Sequence, residues 1–201
     1  AYVGEQPVGA ALGFIGHHRD EEGKGHVHLH SHMAAVLEPY RDRHVGAALK
    51  VHQRWWALDQ NIDVIMWTFD PLVRRNARLN LIKLGTEVRG YEVNFYGEMD
   101  DAINAGDPSD RMFAWWEVGS TRAIQAAAGE LAPVDIEQLR RAGRDAIEIA
   151  VPDDIVQLRA TNPVAAQEWR EQVRAAFLDS AQQGYVITGV SLNGNYVLER
   201  S

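Results

Sequence analysis

Apolar and polar positions along the chain follow two periods in turn. Over residues 1–16, small and apolar residues surround Gln6-Pro7, which predicts the end of one strand, a turn and a second strand. The polar stretch 17–25 predicts a hairpin loop, and Val27 to Val36 a third strand, broken by Glu38-Pro39-Tyr40. From Val45 to about Leu58 the period lengthens. Val45, Leu49, His52 and Trp56 step by four, three and four, which is one helical face, with Trp56 in the core. Ile62 to Phe69 is almost continuously apolar and predicts a strand buried on both faces. A second helix is expected from Arg74 to Leu84, with Ala77, Leu81 and Leu84 inward and Gly85 as its C-terminal stop. Tyr91 to Tyr96 and Met112 to Val118 predict two more strands. Strands alternating with helices in this order imply an α/β fold.

Further along, 119–145 is rich in Ala, Gly, Arg and Glu and predicts a partly helical linker. Ile147 to Val151 predicts a short strand. Asn162-Pro163 marks a helix start, a capping side chain followed by proline at the first helical position. Trp169, Val173, Phe177 and Ala181 continue one face of that helix. Tyr185 to Leu192 and Tyr196 to Glu199 flank Asn193-Gly194, a strong hairpin signal. The expected organisation is a core over 1–118, a linker over 119–145 and an α+β extension over 146–201. The extension is expected to pack beside the core, completing its sheet or walling a site.

Composition narrows the function. Among 201 residues the net charge is -8, which argues against a nucleic-acid partner, since such proteins displace counterions with basic surface. There is no cysteine, so disulfides, thiolate zinc sites and thiol nucleophiles are excluded. No apolar run approaches the ~20 residues that span a bilayer, so no membrane partner is expected. The chain opens on the strand-like Ala1-Tyr2-Val3-Gly4 without a signal-peptide pattern. The expectation is a cytoplasmic protein whose first elements lie before Ala1.

Two constellations carry chemistry. In the first, the strand ending at Val36 leads through Arg41-Asp42-Arg43-His44 into a helix opening with Val45, Gly46 and Ala47. A helix N-terminus offers amide groups with no internal acceptor and a dipole favouring anions, so phosphates bind there. Gly46 permits close approach, and Arg41 and Arg43 add positive charge. In the second, six of the eight histidines lie between His17 and His32. His28, His30 and His32 are spaced by two and share one face of a strand. They read as a polar row, or as part of a divalent-metal site in a hydrolase, with Asp70 and Asp100 as further ligands. Of Trp115-Trp116, one member points inward. The other points outward and could line an acceptor pocket or a homodimer interface. Glu98, Asp100 and Asp101 could hold an ammonium group, or cap a helix in the case of Asp100. Arg111 could bind a carboxylate or pair with Asp110.

The segment Arg41-Asp42-Arg43-His44-Val45-Gly46 resembles motif A of the GNAT superfamily, Arg/Gln-x-x-Gly-x-Gly/Ala. Arg41 and Gly46 match its first and last positions, and His44 replaces the central glycine. The stretches Leu29-His30-Ser31-His32-Met33, Trp67-Thr68-Phe69-Asp70-Pro71-Leu72, Asn76-Ala77, Lys83-Leu84-Gly85 and Tyr96-Gly97-Glu98-Met99-Asp100 are similar to a bacterial subgroup described as predicted GNAT acetyltransferases. The resemblance covers about residues 1–118.

It implies a mixed, mostly antiparallel sheet, flanked by helices and splayed near its middle strands. It implies an N-acyltransferase moving an acyl group from acetyl-CoA or another acyl-CoA to a small-molecule amine, with no metal. Ala34, Ala35 and Val36 match the strand that pairs with the pantetheine arm. Arg41, Asp42, Arg43, His44, Val45, Gly46 and Ala47 match the pyrophosphate loop. The family's asparagine on the second helix falls at Arg74, and Asn76 is its substitute. The tyrosine that often protonates the leaving thiolate falls at Leu81. On the catalytic side the resemblance points to His30 as general base, His32 as its neighbour and Glu98 as a further carboxylate. The metal-dependent hydrolase is one alternative. A non-catalytic CoA-binding module, suggested by His44 and Leu81, is the other.

Overall fold

The computed structural model describes residues 1–19, 22–97 and 108–200. A two-residue-per-strand ribbon, β1 (Tyr2–Val3) and β2 (Gln6–Pro7), precedes the long hairpin of β3 (Gly9–Arg19) and β4 (Gly25–Val36). Helix α1 (Val45–Asp59) carries the chain across to β5 (Val64–Phe69). Next come α2 (Arg74–Arg78), running on as wide π-helical turns over Leu79–Leu84, then β6 (Glu87–Glu92) and β7 (Arg111–Glu117). The strand order is β3-β4-β5-β7-β6. Within this sheet β4 and β5 are parallel and the other pairings antiparallel. The fold is thus α/β, as the order of elements predicts, with the mixed, mostly antiparallel sheet that the resemblance implies. A parallel pair needs a crossover, and α1 supplies it.

Several elements differ from expectation. The polar loop is shorter than 17–25, because His17 and His18 pair with Val27 and His26 and extend both strands. The strand expected at Tyr91 to Tyr96 lies earlier and starts soon after the left-handed Gly85 (φ +70). Beyond Glu92 the chain turns, because Asp110 accepts the Asn94 amide at 3.0 Å and the Ser109 carbonyl accepts that of Phe95 at 3.0 Å. The inward face of α1 is rotated from the one predicted. Lys50 and Ala57 are buried, whereas His52, Trp55 and Trp56 are exposed. The cause is a polar residue that finds its partner on the sheet, as described below.

After α3 (Thr121–Ala127) and α4 (Ile136–Arg141), the chain forms β8 (Ala146–Ile149), α5 (Ile155–Thr161), α6 (Pro163–Gln182), β9 (Tyr185–Val190) and β10 (Tyr196–Arg200). As the Asn162-Pro163 signal predicts, the Asn162 side chain caps α6 by accepting from the Ala165 amide at 3.2 Å. These strands form their own sheet, β8-β10-β9, so they do not complete the larger one. One apolar cluster nevertheless joins both, from Ile65, Met112 and Trp116 to Phe177, Tyr196 and Leu198.

Two buried carboxylates pin the junction. Asp70 meets Arg170 through both oxygens at 2.9 Å and Arg159 at 2.6 Å. Despite burial, these guanidinium groups hold its carboxyl at about 2. Asp110 accepts from Arg174 twice at 2.8 Å and from Tyr91 at 2.6 Å. The Tyr196 hydroxyl donates to the Pro71 carbonyl at 3.0 Å.

Candidate functional site

The site starts where two neighbouring strands part. β4 and β5 share only the pairs Leu29↔Ile65 and His30↔Met66. Past His30, β4 keeps to β3, as in Ala34↔Ala11, Ala35↔Ala10 and Val36↔Gly9. β5 keeps to β7 as far as Phe69↔Met112. The facing edges of β4 and β5 are therefore free of each other beyond His30, and a wedge opens toward the C-terminal ends of both. Ala34 and Ala35 on its wall are exposed, and Val36 is half-buried.

At the open end of the wedge β4 leads into α1. A 3-10 turn over Glu38–Tyr40 is followed by exposed residues 41–44, with positive φ at Asp42 (58°) and His44 (62°). The left-handed region is the one glycine occupies without steric cost. His44, which stands where the resembled motif has glycine, thus keeps a glycine-like backbone. Its side chain makes no capping bond, and the first helical bond is Ala48 N–H to His44 O at 2.9 Å. The amides of Val45, Gly46 and Ala47 have no acceptor among the described residues. Arg41 Nε lies 3.4 Å from the Val36 carbonyl, and the Arg43 guanidinium sits 5.5 Å above the Tyr40 ring. Nothing in the protein demands glycine at position 46, since a Cβ there meets only Val36 Cγ2 at 3.9 Å. Open amides, a positive helix end and two exposed arginines together make a corner whose chemistry suits an anion.

The histidines lie on one face of β4, as their spacing predicts, but they group in pairs. His30, at the last rung before the wedge, stacks on Phe14 at 4.8 Å and approaches the exposed His32 at 5.8 Å. The buried His28 instead faces His18, Nδ1 to Nδ1 at 3.2 Å, and lies over Gly16, where a Cβ would come 2.5 Å from its Nε2. His18 also meets the Trp115 ring edge-on at 4.8 Å, so the hairpin end curls over the sheet. Burial, then the neighbouring His18, lowers the pKa of His28. Burial, then His32, then Lys50, lowers that of His30, leaving a neutral ring able to accept a proton at neutral pH. Among the described residues, no three His, Asp or Glu side chains are placed to hold a metal ion. Asp70, considered as a further ligand, has its carboxylate occupied by Arg170 and Arg159.

Sequence reasoning missed the opposite face of β4. Ser31 is buried there and accepts from Lys50 Nζ at 2.7 Å, while donating to Gln53 Oε1 at 2.8 Å. The Lys50 ammonium lies 3.6 Å from the centroid of the Trp67 ring. Burial alone lowers Lys50 to about 7. A lysine within an amphipathic helix reads as solvated, so no local signal marks it.

The remaining expected residues are scattered. Asn76 is half-buried on α2, and Leu81 is packed in the core. Arg111 donates to the Asp110 carbonyl at 2.8 Å, because Arg174 and Tyr91 occupy that carboxylate. Trp116 is the inward tryptophan, and Trp115 lies half-buried between His18 and the Arg89 guanidinium. Glu98, Asp100 and Asp101 lie outside the described residues. No helix among the described residues is long and apolar enough to cross a membrane.

No family model matches the chain, and no curated protein sequence matches it. Among solved structures it is similar to Arabidopsis thaliana Naa50 in complex with the bisubstrate analogue CoA-Ac-MVNAL. The identity is 21%, over 54% of this chain and 64% of that one, with a TM-score of 0.42. It is also similar to Chaetomium thermophilum Naa20 in complex with a bisubstrate analogue, at 16% identity over 59% and 62% of the two chains and a TM-score of 0.42. An acetyltransferase from Bacillus cereus is similar at 17% identity over 54% and 73%, with a TM-score of 0.33. The chain thus spans less than two thirds of the first two of these structures, 64% and 62%.

Proposed function

We propose that the protein is an acyl-CoA-dependent N-acyltransferase of the GNAT superfamily, acting on the amine of a small molecule. The observation that carries this reading is the wedge between β4 and β5, which leads directly to the uncapped start of α1. A pantetheine arm would lie in the wedge against the Ala34 to Val36 backbone. The pyrophosphate would rest on the amides of Val45, Gly46 and Ala47, beside Arg41 and Arg43. The glycine at position 46 supports this, because the helix gives up stability there and the fold gains no space it needs.

In the proposed reaction the acceptor nitrogen attacks the thioester carbonyl carbon. The C–N bond forms and the C–S bond breaks. A backbone amide of the wedge wall polarises the carbonyl oxygen. His30, with its lowered pKa, takes the ammonium proton directly or through water, with His32 as its neighbour. The thiolate leaves and is protonated from solvent, since Leu81 offers no proton at the corresponding position.

Calorimetric titration of the full chain with CoA tests the reading. Micromolar-range binding is expected, and Gly46→Glu, which places a carboxylate in the anion corner, should abolish it. Equal affinity in a folded Gly46→Glu protein refutes the assignment. Turnover of acetyl-CoA with a panel of amines then separates an enzyme from a CoA-binding module.

A further inference from the structure

Lys50 has no part in the chemistry described above, yet it occupies the apex of the wedge. The residue is only 7% exposed. Its ammonium donates to Ser31 on β4 and rests on the Trp67 ring of β5. Ser31 and Trp67 each follow directly on a member of the last ladder pair, His30↔Met66. The lysine therefore bridges the two strands where they part.

An ammonium has three N–H donors. Ser31 receives one and the Trp67 face is met by another, and no carboxylate pairs with Lys50 among the described residues. The contrast within the same molecule is sharp. The buried Arg170 meets Asp70, and Arg174 meets Asp110. A buried cation without an anion is costly, and a methionine would fill the same space without that cost. Burial lowers the lysine to about 7, and among the described residues no anion offsets the desolvation. The missing partner is an anion, and the wedge is the route by which one can arrive.

We propose that Lys50 selects the acyl donor, favouring acyl groups that end in a carboxylate, such as succinyl, by pairing its ammonium with that carboxylate at the apex of the wedge. The inference rests on the acyl-CoA reading. His30 and Ser31 point to opposite faces of β4. The reacting carbonyl lies on the His30 face, and the acyl tail passes through the gap between the strands to the Ser31 and Lys50 face. The tail carboxylate is a spectator, and the bonds formed and broken are those of the transfer itself.

The test is calorimetric titration of the full chain with CoA, acetyl-CoA and succinyl-CoA, needing no acceptor. The wild type should bind succinyl-CoA at least tenfold more tightly than acetyl-CoA at pH 7. In Lys50→Met, checked for folding by circular dichroism, the ratio of the two Kd values should fall to near one. Equal Kd values in the wild type overturn the proposal without any variant. So does a succinyl preference that survives in Lys50→Met, or a uniform loss of affinity for all three ligands, which places Lys50 in the fold alone. A wild type that binds none of the three sinks the acyl-CoA reading and this inference with it.

Discussion

Replacing Lys50 with methionine should stabilise the protein, by an amount that depends on pH. Burial lowers the lysine from 10.5 to about 7. At ~1.4 kcal/mol per pKa unit, the charged form costs about 5 kcal/mol in the folded state. The unfolded chain keeps this proton up to pH 10.5, whereas the folded protein releases it near 7. Between those values the unfolded state binds more protons, so stability rises with pH. Below 7 both states are protonated and the full cost is present. Above 10.5 it is gone. The wild type should therefore gain about 3 kcal/mol between pH 7.5 and 9.5, at ~1.4 kcal/mol per pH unit.

That window lies between the shifted histidines and the shifted tyrosines. His28 and His30 are lowered from 6.5, and Tyr91 and Tyr196 are raised above 10. Methionine would fill the space over Trp67, at the loss of the Ser31 hydrogen bond and the cation–π contact, together about 2 kcal/mol. The net gain at pH 7 is then about 3 kcal/mol, or roughly 6–12 °C in Tm for a chain of this size. Urea unfolding of both proteins at pH 7.5, 8.5 and 9.5 measures it. The two curves should converge as pH rises. Parallel curves, or a variant less stable at pH 7.5, would refute the argument that Lys50 is held without a counter-charge.

Three further outcomes are expected. Gly46→Ala should raise stability by up to ~1 kcal/mol, since its Cβ meets only Val36 at ordinary contact distance, while CoA affinity drops about tenfold; thermal unfolding and calorimetry separate the two effects. His30→Ala and His30→Gln should keep CoA binding but lower kcat/KM by ~100-fold. A base with a lowered pKa works above that pKa and fails as pH falls, so the wild-type pH–rate profile should carry an acid limb below 6.5 that both variants lose. Asp70→Asn should cost about 3–5 kcal/mol at neutral pH by removing the carboxylate charge that Arg170 and Arg159 share. Asp70 is lowered to about 2, so its contribution is present above 3.8 and lost as pH falls toward 2. Acid unfolding curves of wild type and variant should therefore approach each other in that range.

By itself the sequence determined the features that arise within a few residues. The turn from Val36 into the helix at Val45, the Asn162 cap, the Gly85 stop and the Asn193-Gly194 hairpin are all local, set by backbone propensities and capping side chains. Strand alternation likewise put His28, His30 and His32 on one face. The tertiary structure decided everything that depends on which distant segments meet. The parting of β4 from β5 after His30 follows from each strand keeping a different antiparallel neighbour, which no local pattern encodes. Lys50 turns inward because Ser31, 19 residues earlier, lies beneath it, and the predicted face of α1 rotates with it. Asp70, read locally as a possible metal ligand, and Asp110, read as a possible partner of Arg111, are taken by arginines 100 and 64 residues away. A buried charge is tolerated only where its partner arrives, and that arrival is a property of the assembled fold.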